Sequence, residues 1–278
     1  MPSFHSVHGM RSSAPRRVGV PCVMHPHVPS SPASPGIAGA ASPPVKLVVS
    51  CEHGGNRVPA THAHLFEGAG ALLETHRGWD PGALELARRI ATRFDAPLHC
   101  ATTTRLLVDL NRSIGHRQLF SAITRPLPAA DKEAILGAHY RPHRDAVEGA
   151  IGERVAARDR VVHVASHSFT PILDGIERDV DIGWLYDPRR PAEVEFVARW
   201  IHAFERRAPG LRLRRNQPYR GRSDGLASLL RSRHPDPAYV GIELEVNQRF
   251  FEEGGARWPE LQGRLVDALA VTLDRAAR

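Results

Sequence analysis

The chain has 278 residues, 42% hydrophobic and 24% charged, with a formal net charge of +7: the composition of a globular protein with room for one large or two ordinary domains. Three cysteines, Cys22, Cys51 and Cys100, are too few for a disulfide framework. No apolar run approaches the roughly 20 residues that span a bilayer, so a cytoplasmic protein with no membrane partner is expected.

Residues 1–44 are rich in Pro, Ser, Ala, Gly and His, show no helical or strand period, and are expected to be a disordered tail. From residue 45 onward the pattern is that of one catalytic domain. Residues 46–51 read as a strand, and Asp80-Pro81-Gly82 opens a helix with Leu84, Ala87, Ile90, Ala91 and Phe94 on one face. Residues 97–101 and 105–110 read as two further strands, and 131–157 as a helix interrupted near Pro142. Strands at 160–166 and 181–185 follow, then a helix at 191–207, a strand at 211–215 and a short helix at 223–233. A strand at 239–246 and a helix at 259–277 close the chain. Strands alternating with helices predict a single three-layer α/β domain with a mixed, mainly parallel sheet covered on both faces. In such sheets ligands bind beyond the carboxyl ends of the strands. His53, Asp109 and His167 all arrive at such ends.

Taken in order, SCEHGGNRVP (50–59), Asp80, RLLVDLNR (105–112), His167-Ser168-Phe169, NQPYRG (216–221) and ELEVN (243–247) resemble the N-formylglutamate amidohydrolase family. The resemblance covers nearly everything after residue 45. It implies a phosphorylase/hydrolase-like fold, similar to zinc carboxypeptidases and aspartoacylase, with one zinc ion and a small acidic amide as substrate.

Zinc hydrolysis needs two or three N/O ligands, an open position and a nearby carboxylate to move protons. His53 and His167 fit as the imidazole ligands; the competing reading of each is a hydrogen-bonded core histidine. The third ligand is open. Carboxypeptidase-like sites place a Glu three residues after the first His, where this chain has Asn56. Asp80 fits by its place in the motif, yet Asp before Pro81 also suits a helix N-cap. Glu245 aligns with the family's catalytic carboxylate as general base, with Glu243 on the same strand face. Glu52 would point away from His53 if the strand continued. Arg105 suits polarising the scissile carbonyl, or else an ion pair with Asp109. Asn111, Arg112 and Arg220 suit binding substrate carboxylates.

Three rival readings remain. One is a related zinc deacylase or carboxypeptidase-like hydrolase acting on another acidic acyl-amino acid. Another makes Cys51 a nucleophile beside His53. The third, a basic nucleic-acid-binding protein, has little support: the arginines are scattered among Asp and Glu, with no recognition motif, so no nucleic-acid partner is expected.

Overall fold

The β-branched runs Val45–Cys51 (β2) and Arg160–Phe169 (β4) pair in parallel, and β4 pairs in the same sense with Tyr239–Asn247 (β9). Branched side chains pack well on a pleated surface, and these three strands form the buried centre of the sheet. The computed structural model describes residues 44–276 and a three-residue strand, Cys22–Met24 (β1). Leu98–Cys100 (β3) flanks β2, while Ile172–Leu173 (β5) and Ile176–Glu177 (β6) form a separate hairpin. Ile182–Leu185 (β7) and Leu213–Arg215 (β8) extend the sheet beyond β9, giving the order β1-β3-β2-β4-β9-β7-β8. Within this sheet only the β1/β3 and β7/β9 pairs are antiparallel, so it is mixed and mainly parallel, as expected.

Gly70–Leu73 (α1) is a single turn; Ala83–Phe94 (α2) packs on the sheet together with Pro191–Glu205 (α5) and Arg257–Ala276 (α8). On that face Ile90, Phe196, Trp200 and Leu265 cover Val49, Val164 and Ile242. Each such fully buried side chain contributes on the order of 1.5–3 kcal/mol. Arg141–Ala156 (α4) and Leu226–Arg233 (α6) cover the other face through Val147, Ile151 and Leu230 over Val48 and Val161. Ala129–Ile135 (α3) and Arg249–Glu252 (α7) are short. The layers are therefore helix, sheet, helix.

Four expectations need correction. Residues 105–110 are not a strand: they turn, and the Asp109 N–H bonds Leu119 O while the Thr124 hydroxyl caps Leu107 O, so loop partners replace a sheet ladder. The helix after Asp80 begins later, at Ala83, with Gly82 as N-cap at φ +80°. The break before α4 is a π-turn at Leu136–Tyr140, ahead of Pro142, which sits in the first turn of α4 where no N–H is needed. Within the segment expected to be disordered, β1 pairs along the edge of β3. Residues 1–21 and 25–43 of that segment lie outside the described residues.

Beneath α4 and α6 runs a buried polar chain: the Ser50 hydroxyl lies 2.8 Å from His163 Nε2, and the Tyr239 hydroxyl 2.9 Å from its Nδ1. Burial pushes the His163 pKa down to about 4 from an ordinary 6.5, so the folded ring stays neutral while the unfolded chain takes up a proton. Stability should thus be intact above pH 6.5 and fall by up to about 3 kcal/mol as pH drops towards 4. Urea unfolding at intervals between pH 7 and 4.5 tests this. His163→Gln should flatten the slope by one proton, and an unchanged slope would assign the titration to another group.

Candidate active site

β2 ends at Cys51, and Glu52 and His53 lie in the turn that follows. Because the strand does not continue, both side chains reach the same cluster, contrary to the opposed orientation expected for Glu52. The next piece is Asp80. It is held by backbone bonds, Asp80 N–H to His53 O and Ala83 N–H to Asp80 O, while two serines of β4 clamp the same loop. Ser168 donates to Pro81 O at 2.7 Å and Ser166 to Ala83 O at 2.9 Å. The serines flanking His167 therefore fix the carboxylate that His167 meets.

His53 Nδ1 is 3.3 Å and His167 Nδ1 is 2.9 Å from the same Asp80 oxygen, and the three side chains are buried. One ligand atom from each lies within 4.8 Å of the others, among the described residues. The far nitrogens are occupied from behind. His53 Nε2 sits 2.8 Å from Asp109 Oδ1, and His167 Nε2 sits 3.1 Å from Glu52 Oε2, close enough for an ion pair though not aligned as a hydrogen bond. Glu52 Oε1 also faces His143 Nε2 at 3.4 Å. Imidazoles anchored by carboxylates on one nitrogen, with the other converging on a carboxylate oxygen, suit a small divalent cation. The donor set fits a zinc ion.

Asp80 is therefore no helix cap: Gly82 takes that position, and the Asp80 carboxylate belongs to the cluster. Asn56 turns away, its amide donating to Leu73 O and to Glu74. Cys51 is fully buried in the core and burial pushes its thiol pKa up, which removes it as a nucleophile.

β9 lies beside β4 in register, placing Glu245 opposite His167 and Glu243 opposite Ala165. Glu243 accepts the Asn111 amide at 2.9 Å, and Asn111 in turn accepts the Leu226 N–H at 2.8 Å. Glu245 is 6% exposed, with Oε2 buried and unpartnered. Burial raises its pKa to about 7; nearby Asp80 and Glu243 add to that rise and His167 opposes it. Two aspartates of the cluster go the other way. Although burial opposes their charge, Asp80 is held low by His53, His167 and Arg105, and Asp109 by Arg105 and His53. His167 is correspondingly raised against burial by Asp80 and Glu52.

Arg105 spans the two aspartates, Nη1 to Asp80 Oδ1 at 3.1 Å and Nη2 to Asp109 Oδ2 at 2.8 Å, while still bordering the cleft. Both readings of Arg105 are thus compatible with its position. Arg112 donates from Nη1 to the carbonyls of Asn111 and Asp224, at 3.0 and 2.9 Å. It lines, with Arg220, Tyr219 and Ser223, an inner cavity of about 180 Å³ floored by His53, Asp80 and His167. A wider cavity of about 410 Å³ adjoins it and shares Asp80, Arg105, Arg112, Ser168 and Tyr219. All eight residues expected at the site border the inner cavity. The carboxylates behind the histidines, Glu52 and Asp109, had no such role in the sequence reading. Their signal was adjacency: Glu52 precedes His53, and Asp109 stands four residues after Arg105 in a buried apolar run.

The sequence profile of N-formylglutamate amidohydrolases matches residues 45–251. The gene product Atu2144 from Agrobacterium tumefaciens superposes with a TM-score of 0.72 at 27% identity, over 86% of this chain and 94% of that one. An N-formylglutamate amidohydrolase from Ralstonia eutropha JMP134 superposes with a TM-score of 0.63 at 18% identity, over 86% of this chain and 96% of that one. No curated protein matches the chain significantly.

Proposed function

We propose that this chain, which belongs to the N-formylglutamate amidohydrolase family and is an amide-hydrolysing enzyme, is a zinc-dependent hydrolase of N-acyl acidic amino acids. N-formyl-L-glutamate is the first substrate to test. The observation that carries the reading is the convergence of His53 Nδ1, His167 Nδ1 and an Asp80 oxygen beside an unpartnered carboxyl, Glu245.

His53, Asp80 and His167 would hold the ion, which when bound supplies Lewis acidity to the carbonyl oxygen and to a water. Glu245, poised near pH 7, accepts the proton of the attacking water and returns it to the leaving nitrogen. Arg105 stands where a developing oxyanion needs positive charge. Arg112 and Arg220, with Asn111 beside them, line the same cavity and would meet the substrate carboxylates. From N-formyl-L-glutamate the products would be formate and glutamate. On the same reading the enzyme is cytoplasmic; among the described residues no helix is long and apolar enough to cross a membrane.

Metal analysis of purified protein, combined with a screen of N-acyl amino acids, tests the assignment: about one zinc per chain and hydrolysis confined to acidic substrates is expected. Stoichiometric metal without amide hydrolysis would defeat it. The role of Arg112 has its own check. Arg112→Lys should damage kcat/KM for N-formyl-L-glutamate much more than for the α-amide analogue, because the planar fork is needed only by a carboxylate. Equal losses on both would remove Arg112 from carboxylate recognition.

A further inference from the structure

The inner cavity, about 180 Å³, holds the groups assigned to the amino-acid half of the substrate, Asn111, Arg112 and Arg220, together with the proton carrier Glu245. Arg105 stands at the junction, bordering both cavities beside the metal cluster. An amide carbonyl directed at Arg105, with its amino acid in the inner cavity, sends its acyl substituent into the outer one. A formyl group has only a hydrogen on that side of the carbonyl carbon and uses none of the outer 410 Å³.

The lining of that chamber is built in two zones. Leu72, Leu106, Phe120 and Ile123 provide an apolar stretch, and Arg77 and Arg125 stand at its margin. Both arginines are exposed, and neither forms an ion pair among the described residues. By contrast, Arg105 at the junction is paired with Asp80 and Asp109. Apolar walls followed by uncommitted guanidinium groups match a short methylene chain that ends in a carboxylate.

We propose that the enzyme acts on N-acyl acidic amino acids whose acyl group is itself a short dicarboxylic acid, of the N-succinyl type, with the distal carboxylate met by Arg125 and Arg77. This rests on the amidohydrolase reading above and narrows its substrate class. The reaction balances as hydrolysis: the water oxygen bonds to the acyl carbon, the C–N bond breaks, the amine takes a proton, and a dicarboxylic acid and glutamate are released.

The test compares the metal-loaded full chain on N-formyl-, N-butanoyl- and N-succinyl-L-glutamate. The butanoyl substrate has the same carbon count as the succinyl one but no distal charge. The expected order of kcat/KM is succinyl, then butanoyl, then formyl, with succinyl at least tenfold above formyl. Arg125→Ala, a change at an exposed position, should lower the succinyl-to-butanoyl ratio about tenfold, chiefly through KM, and Arg77→Ala should act in the same direction. Equal rates on succinyl and butanoyl substrates, a preference for formyl, or a succinyl preference untouched by both arginine variants would overturn the proposal while leaving the amidohydrolase assignment standing. Absence of hydrolysis on all three would instead overturn that assignment, and the present proposal with it.

Discussion

Replacing Glu245 by Gln should lower turnover by a factor on the order of 100 to 10,000, the range for loss of a general base, while metal content and KM change little. The substitution keeps the shape of a side chain that is buried, unpartnered at Oε2 and level with His167 across the β4/β9 pair. It removes only the ability to take and return a proton. Glu243→Gln is the internal control, two residues away on the same strand face. Its carboxylate accepts the Asn111 amide, so its replacement should disturb substrate binding, and KM before kcat. If Glu243→Gln were the crippled variant and Glu245→Gln nearly normal, the two roles would exchange.

His53→Ala and His167→Ala should each reduce zinc from about one ion per chain to almost none after dialysis, since either change leaves two ligands at most. Asp80→Asn should also weaken metal retention, because Gly82 rather than Asp80 caps α2 and the Asp80 carboxylate is directed at the two imidazoles. The carboxylates behind the rings provide a graded comparison. Asp109→Asn and Glu52→Gln leave all three ligands in place, so zinc affinity should drop by roughly 10- to 100-fold without being abolished. Competition with a chelating dye would read all five variants on one scale. Full zinc retention by either histidine variant would remove that residue from the ligand set.

The central strands were legible because β2, β4 and β9 combine branched residues with turn-forming ends, and the amphipathic helices because their apolar stripes recur at helical spacing. The residues that border the inner cavity were legible through ordered motifs. What could not be read was how loops satisfy their backbones. RLLVDLNR has strand-like composition, but its partners are Leu119 and Thr124, contacts set by the tertiary fold rather than by local period. The orientation of Glu52 turned on one residue: a strand that stops at Cys51 instead of running on brings Glu52 and His53 to a common centre. The start of α2 was missed for a related reason, since Pro81 looks like a first helical residue whereas the left-handed Gly82 caps the helix and delays its start by two positions, to Ala83.

The paired carboxylates behind His53 and His167 also set what competes with the metal. Asp109 and Asp80 raise the proton affinity of His53, and Asp80 and Glu52 that of His167, in both cases against the effect of burial. On the zinc reading, protons and the cation would seek the same two nitrogens, and zinc uptake would be accompanied by proton release. Acidification should therefore empty the enzyme of metal before it impairs the fold around the site. In mildly acid medium, the occupied fraction rather than the speed of the loaded enzyme would govern observed activity, and added zinc should restore what lowered pH removes.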